Sequence, residues 1–260
     1  MKIVGESKLR EFVESRLFDD QSPAAIAGRL RAQEKTLPIV SKESIYRYIR
    51  SVYGRRIEAY RKKKKARRRR RIATRKTLDG RTFIHHRPAY IDQRKRIGDS
   101  EGDFIVSGKT GCGILLVIVD RKLRVSFLEQ ILQPSQAAVT LSCQKIKRRY
   151  PDWKTMTTDN DLLFGHHAAL EKILGIRIYF CHPYHSWEKG TVENVNKHIR
   201  RDIPKGSNLS RYTTRCISKL EKKLNRRPLK CLRYKTPAEA LAQARRKTKK
   251  AHGRMSRKEI

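Results

Sequence analysis

Asp103, Asp159 and Glu193 are the acidic residues of this 260-residue chain whose surroundings suit them to chemistry. Asp103 lies in "EGDFIVSG", Asp159 closes "KTMTTDN", and Glu193 stands in "KGTVENVN" with Lys189 and Lys197 each one helical turn away. Carboxylate oxygens are hard ligands that suit magnesium, an ion that keeps coordination positions for water and substrate phosphate. Two such ions about 3.5–4 Å apart activate an attacking oxygen and stabilise a leaving one in an in-line displacement. Three clustered carboxylates without a cation would repel one another and take up protons. The expectation is therefore that Asp103, Asp159 and Glu193 hold two Mg2+ ions, with Mn2+ able to substitute, while Lys189, Lys197 and Arg200 hold substrate phosphate. A plainer reading stands beside it, because a Glu between lysines at i±4 is also an ordinary helix ion pair. Glu101, on the same strand face as Asp103, and the neighbouring Asp161 and Glu188 are alternates for the ligand role.

Charge narrows the partner. With 63 Lys and Arg against 25 Asp and Glu, the formal net charge is +38, a self-repulsion that a polyanion relieves. Double-stranded DNA is the expected partner. An anionic membrane would call for an amphipathic basic helix or a lipidation signal, and neither is visible. The apolar run "ILLVIV" at 114–119 is too short to span a bilayer, and "MKIVGESKL" carries no secretory signal, so a cytoplasmic, DNA-associated protein is expected. Five scattered cysteines, Cys112, Cys143, Cys181, Cys216 and Cys231, read as reduced thiols. Cys181, His182 and His185 in "CHPYH" are of zinc-ligand type but lack a second pair at a finger-like spacing, so the metal-free reading is preferred.

The elements that must position these groups are legible in outline. Residues 8–50 read as three short helices, with Leu9, Phe12, Val13 and Leu17 on the first. Ser22–Pro23 starts the second, and Ser41 caps a third that places Ile45, Ile49 and Val52 on one side before Gly54. Such a unit suits a helix-turn-helix, with Lys42, Arg47 and Arg50 available to DNA. The run "RKKKKARRRRR" at 61–71, including Lys62, Lys63, Lys64, Lys65, Arg67, Arg68, Arg69, Arg70 and Arg71, reads as a phosphate-seeking arm. From about residue 98 the order is three strands, helix, strand, helix, strand, helix: "GDFIVSG", "GILLVIV" and "RVSFLEQI", a helix to about Arg149, "KTMTTDN", "HHAALEKIL", "IRIYF", and a helix from about Trp187 to Arg201. This is the order of an α/β ribonuclease H-like core, a mixed five-stranded sheet with flanking helices. Trp187 is expected to pack that last helix onto the sheet, with contact to a distorted DNA end as the alternative. The expected boundaries are a helix-turn-helix domain at 1–55, a basic linker at 56–95, the core with C-terminal helices at 96–242, and a basic flexible tail at 243–260.

The set "EGDFIVSGKTG", "VDRKLR", "TTDN", "IYFCHPYHSWEKGTVENVN", "IRRDIPKGS" and "LNRRPLKCLRYKTPAEAL" resembles, in this order, the catalytic core of bacterial transposases of the insertion sequence thirty family. The resemblance covers residues 98–241. It implies a retroviral-integrase-like fold and a DDE triad at Asp103, Asp159 and Glu193. It also implies DNA strand cleavage and transfer at terminal inverted repeats and target DNA, by a homo-oligomer assembled on DNA. "SPAAIAGRL" with "VSKESIYRYI" also resembles the family's helix-turn-helix. The chain departs from the family pattern at Asp99 and Ser100, where His and Trp are usual, and at Asp161 and Leu163, where the family often has Gly and Glu. A further helix-turn-helix usual upstream is not included, as expected of a truncated copy or a shorter subgroup. A catalytically decayed or domesticated DNA-binding protein is the alternative function.

Overall fold

The computed structural model describes residues 2–63, 80–108, 111–182 and 185–255, grouped in two units, Met1–Arg68 with Asn225–Ile260, and Arg69–Leu224. Helices α1 (Lys2–Gly5), α2 (Ser7–Phe18), α3 (Pro23–Ala32), α4 (Lys42–Arg50) and α5 (Arg55–Lys63) begin the first unit. Leu9, Val13 and Leu17 of α2 share a core with Ile26, Leu30, Ile45, Tyr48, Ile49 and Ile57. The cap signals work as their chemistry requires: Ser22 Oγ accepts from Ala25 N at 3.2 Å and Ser41 Oγ from Ser44 N at 3.2 Å. The apolar side of α4 stops earlier than expected. Val52 is 69% exposed, because the Ser51 hydroxyl donates to the Tyr48 carbonyl at 2.7 Å and ends the helix at Arg50. Gly54 lies so close to the α4 backbone that an added Cβ would stand 2.3 Å from Tyr48 O.

In the second unit α6 (Ala89–Asp92) precedes a mixed sheet of β1 (Asp99–Val106), β2 (Ile114–Asp120), β3 (Ser126–Ile131), β4 (Thr155–Thr158) and β5 (Arg177–Phe180). The strand order is β3-β2-β1-β4-β5, antiparallel across the first three and parallel from β1 through β5. Helices α7 (Gln136–Arg149), α8 (His167–Leu174), α9 (Gly190–Asp202) and α10 (Thr214–Asn225) complete it. Strand β2 is buried throughout, as a continuous apolar run demands of a strand covered on both faces. Its Leu115, Val117 and Val119 meet Val192 and Ile199 of α9 and Ile217, Leu220 and Leu224 of α10. This strand order, with the helices packed against the sheet, is that of a ribonuclease H-like core.

The β2–β3 turn depends on a buried carboxylate. Asp120 accepts from Gly98 N and Tyr150 Oη on one oxygen, and from Lys122 N and Leu123 N on the other. Burial still pushes its pKa up, so these four bonds are what permit the group in the core.

Three boundaries differ from the sequence expectation. Residues 80–95 belong to the core rather than to a linker: Phe180 N donates to Thr82 O at 2.9 Å, Arg87 to Thr157 Oγ1 at 2.8 Å, and Ile91 is fully buried. Residues 225–242 group with the first unit. The basic tail begins as the continuation of α11 (Pro237–Met255) rather than as an arm, since Thr236 and Glu239 form a reciprocal cap that starts a run rich in Ala, Arg and Lys. Of the expected basic arm, Lys62 and Lys63 end α5, while Lys64, Lys65, Arg67, Arg68, Arg69, Arg70 and Arg71 lie outside the described residues.

Candidate active site

Strand alternation decides which side chains meet. Along β1, Glu101, Asp103 and Ile105 face α9, while Ser100, Gly102 and Phe104 face the other layer, against Trp153, Met156 and Phe164. Thr157 of the parallel β4 is level with Glu101, so Asp159, two residues on, emerges on the face of Asp103. The two aspartates share one cation. Lys189 Nζ stands 3.0 Å from Asp103 Oδ1 and 3.2 Å from Asp159 Oδ2, with its side chain 9% exposed.

The charges in this triangle are mutually dependent. Burial raises the Asp103 pKa above the usual carboxylate range, although the Lys189 ammonium opposes the shift. Burial by itself would lower the Lys189 pKa, but the charges of Asp159 and Asp103 outweigh it and hold the ammonium protonated. Asn196 of α9 donates from Nδ2 to Asp103 Oδ2 at 2.6 Å. Asp159 Oδ1 and Asn196 Oδ1 are buried without a hydrogen-bond partner among the described residues. Two carboxylates converging on one cation, with an orphaned carboxylate oxygen beside it, fit the donor set of a hard divalent ion.

Glu101 has a different task from the one its position suggests. Its Oε2 accepts from the first-turn amides Thr191 N at 2.7 Å and Val192 N at 2.9 Å, and its Oε1 accepts from Arg121 Nε at 3.2 Å. A carboxylate on the exposed amides of a helix start also complements the helix dipole, so Glu101 docks α9 on β1 and takes no part as an open ligand. Arg124 adds a bond to Thr191 Oγ1 at 2.7 Å. Glu193 follows two residues after Thr191. It is exposed and pairs with Lys197 at 3.2 Å, the ordinary i,i+4 arrangement.

Other expectations meet mixed outcomes. Lys189 is buried between aspartates rather than turned toward phosphate. Arg200 is half-buried and bonds Pro204 O at 3.3 Å. Lys42, Arg47 and Arg50 are exposed on α4 together with Tyr46. Trp187 does not pack α9 onto the sheet, for its side chain is 69% exposed and its ring lies 4.4 Å from that of His185. The reason is the 3-10 turn Ser186–Lys189 before α9, which buries Lys189 and carries Trp187 outward. Asp161 caps the turn Leu162–Phe164 through Leu163 N at 2.9 Å. Asp99 is held by Arg96 and by Thr155 Oγ1, and Ser100 receives Trp153 Nε1, so both departures from the family pattern sit in satisfied networks. Arg121 and Asn196 are site residues that sequence reasoning did not assign, and Glu101 was weighed there only as an alternate ligand. The Thr-x-Glu order at the start of α9 was the available signal that a helix terminus there needed an anion.

A mixed five-stranded sheet in the order β3-β2-β1-β4-β5, with helices packed against it, defines the class as that of the ribonuclease H-like cores. The chain is 36% identical over 231 residues to the transposase for insertion sequence element IS4351 of Bacteroides fragilis, covering 85% of this chain and 69% of that protein. It is 34% identical over 249 residues to transposase InsI for IS30A of Escherichia coli strain K12, covering 90% of this chain and 64% of the relative. A 164-residue stretch is 33% identical to the transposase for IS1086 of Cupriavidus metallidurans, 62% of this chain and 48% of that one. No protein-family model matches. Among solved structures, the catalytic core domain of BIV integrase matches with TM-score 0.44 and 19% identity over 58% of this chain and 97% of that chain. The chain belongs to the IS30 family of insertion-element transposases.

Proposed function

We propose that this chain binds the ends of a mobile element and catalyses metal-dependent DNA strand cleavage and strand transfer, with Asp103, Asp159 and Glu193 as the ligands of two Mg2+ ions. The observation that carries the reading is the convergence of Asp103 and Asp159 on one buried cation, Lys189, beside the orphaned Asp159 Oδ1. Bound divalent ions would supply charge stabilisation to the attacking and leaving oxygens of an in-line phosphoryl displacement. The protein's own part is positional. Glu101 and Arg121 fix the start of α9, so that Glu193 is carried on a helix docked to the strand bearing Asp103. Asn196 orients the Asp103 carboxylate, and Lys189 holds the two aspartates close. No Ser or Tyr nucleophile is needed, since water and then a freed 3′ hydroxyl are the attacking groups.

Exposed Lys42, Arg47 and Arg50 on α4 supply phosphate contacts in this reading, together with Lys197 and the basic arm. Exposed Trp187 offers a flat surface to unstacked bases near the site. A homo-oligomer on DNA and a cytoplasmic location belong to the same proposal. Among the described residues no helix is long and apolar enough to cross a membrane.

The test is cleavage of a supercoiled plasmid carrying the element's ends, in Mg2+, by this chain and by Glu193→Gln. Cleavage should fall about 10²–10³-fold in the variant, the scale of losing a transition-state charge stabiliser, while DNA binding persists. Binding without cleavage by either protein, in Mn2+ as well, would favour the decayed DNA-binding reading.

A further inference from the structure

The turn that leads into α9 gathers imidazoles and a carboxylate away from the aspartate pair. His182 Nδ1 lies 3.0 Å from Glu188 Oε1, and His185 Nδ1 lies 3.4 Å from the same oxygen. Among the described residues this trio is the group whose donor atoms all lie within 4.8 Å of one another. The geometry points to a binding site for one Zn2+-class divalent ion, held by His182, His185 and Glu188.

Several independent features fit that assignment. Donors at zinc distances of 2.0–2.1 Å in a tetrahedral arrangement stand about 3.3–3.4 Å apart, and the two imidazole–carboxylate separations here are 3.0 and 3.4 Å. In a 3-10 turn residues i and i+3 eclipse, which is how His185 and Glu188 reach the same side, and Glu188 N donates to His185 O at 3.1 Å to close that turn. The outer partners are also in place. His182 Nε2 meets His85 Nδ1 at 3.0 Å, leaving Nδ1 for the ion, and Glu188 Oε2 accepts from His182 N at 2.9 Å. The ring of His182 stacks on His85 and Phe83, at centroid distances of 5.2 and 5.7 Å, which limits its rotation. Two imidazoles and one carboxylate are a borderline set that suits zinc better than magnesium. With a net charge of +38 the chain draws no cation by diffuse attraction, so retention of one requires such a built set.

Three protein ligands leave a fourth position open for water or another donor. A cation here would clamp the turn carrying Lys189 to the end of β5, and so fix the approach to α9 independently of the aspartates.

The full chain, stripped with chelator and dialysed, should take up one equivalent of Zn2+ by calorimetry in the presence of excess Mg2+. Co2+ should give d–d bands without thiolate charge-transfer absorption. His185→Ala, at a half-exposed position, should weaken zinc binding about a hundredfold or more, and Glu188→Gln should do likewise while preserving shape. His85→Ala should cost about 10–100-fold, the range for losing an outer partner of a ligand. Asp103→Asn should leave zinc binding unchanged. No stoichiometric uptake, uptake that survives His185→Ala and Glu188→Gln, or uptake abolished by Asp103→Asn or by replacing the exposed Cys112, Cys216 and Cys231 with serine would overturn the assignment.

Discussion

Lys189 is buried between Asp103 and the half-exposed Asp159 and is fixed by both, whereas Lys42, Arg47 and Arg50 on α4 stand exposed. The difference follows from what each region must do to its ligand. Long-range phosphate attraction works through water and tolerates mobile side chains, because it positions DNA without reading it. Phosphoryl chemistry requires groups held within a fraction of an ångström, and burial is what makes their charges act strongly on one another. The enclosed region should therefore report on stability as well as activity, while the open one should report on binding alone.

The sharpest test of that contrast is Glu101→Ala. It removes the acceptor of two helix-start amides and leaves Arg121 buried with its nearest carboxylate gone, so unfolding free energy should fall by about 3 kcal/mol or more. The loss should appear in urea titrations without divalent ions. If stability fell only in their presence, Glu101 would be a ligand and the docking role would be wrong. Lys189→Met should cost somewhat less, about 2 kcal/mol, because the aspartates can relieve their repulsion by taking up a proton. Millimolar Mg2+ should restore much of that stability, and a urea midpoint that ignored Mg2+ would separate Lys189 from the proposed ion site.

The contrast also explains what the sequence could and could not disclose. Alternation along "EGDFIV" and the apolar run of β2 place Asp103 on a buried sheet face, because strand periodicity is local information. Asp159 follows from the strand end in the same way. The role of Glu101 was not legible, since Glu101 and Asp103 share a face and only the docked start of α9 tells them apart. The surroundings of Lys189 were not legible for a similar reason: in a string of letters a lysine one turn from Glu193 looks like a phosphate ligand, and its burial between the aspartates depends on the 3-10 turn. Residues 80–95 looked like a linker because their anchors, Thr82 O, Arg87 and Ile91, bond or pack against strands and a turn far along the chain.

On the open side, replacing Lys42, Arg47 and Arg50 together with alanine should leave the urea midpoint within about 0.5 kcal/mol of the parent, as expected of exposed substitutions. DNA affinity should drop, and the slope of log K against log salt should become shallower by about 0.9 for each phosphate that the protein no longer neutralises. An unchanged slope would remove α4 from the DNA surface and leave the phosphates to other basic segments.

The smallest effect belongs to the charge that the first unit does fix. Arg29 grips Glu239 with bonds of 2.7 and 2.8 Å, and this, against some burial, lowers the Glu239 pKa to about 2 from an ordinary value of 4.5. A carboxylate with a depressed folded pKa contributes stability that is fully present above its unfolded pKa and fades as pH falls toward the folded one. The window is thus from about pH 4.5 down to about 2. Because the Glu239 side chain is 44% exposed, solvent screening should hold the contribution below about 1 kcal/mol. Glu239→Gln should flatten that part of the stability-pH curve and leave pH 7 activity nearly unchanged, since the Thr236 cap survives in a Gln. A large loss of stability at pH 7 would instead show that an exposed ion pair in the first unit is as tightly coupled as the one around buried Lys189, and the distinction between the two regions would fail.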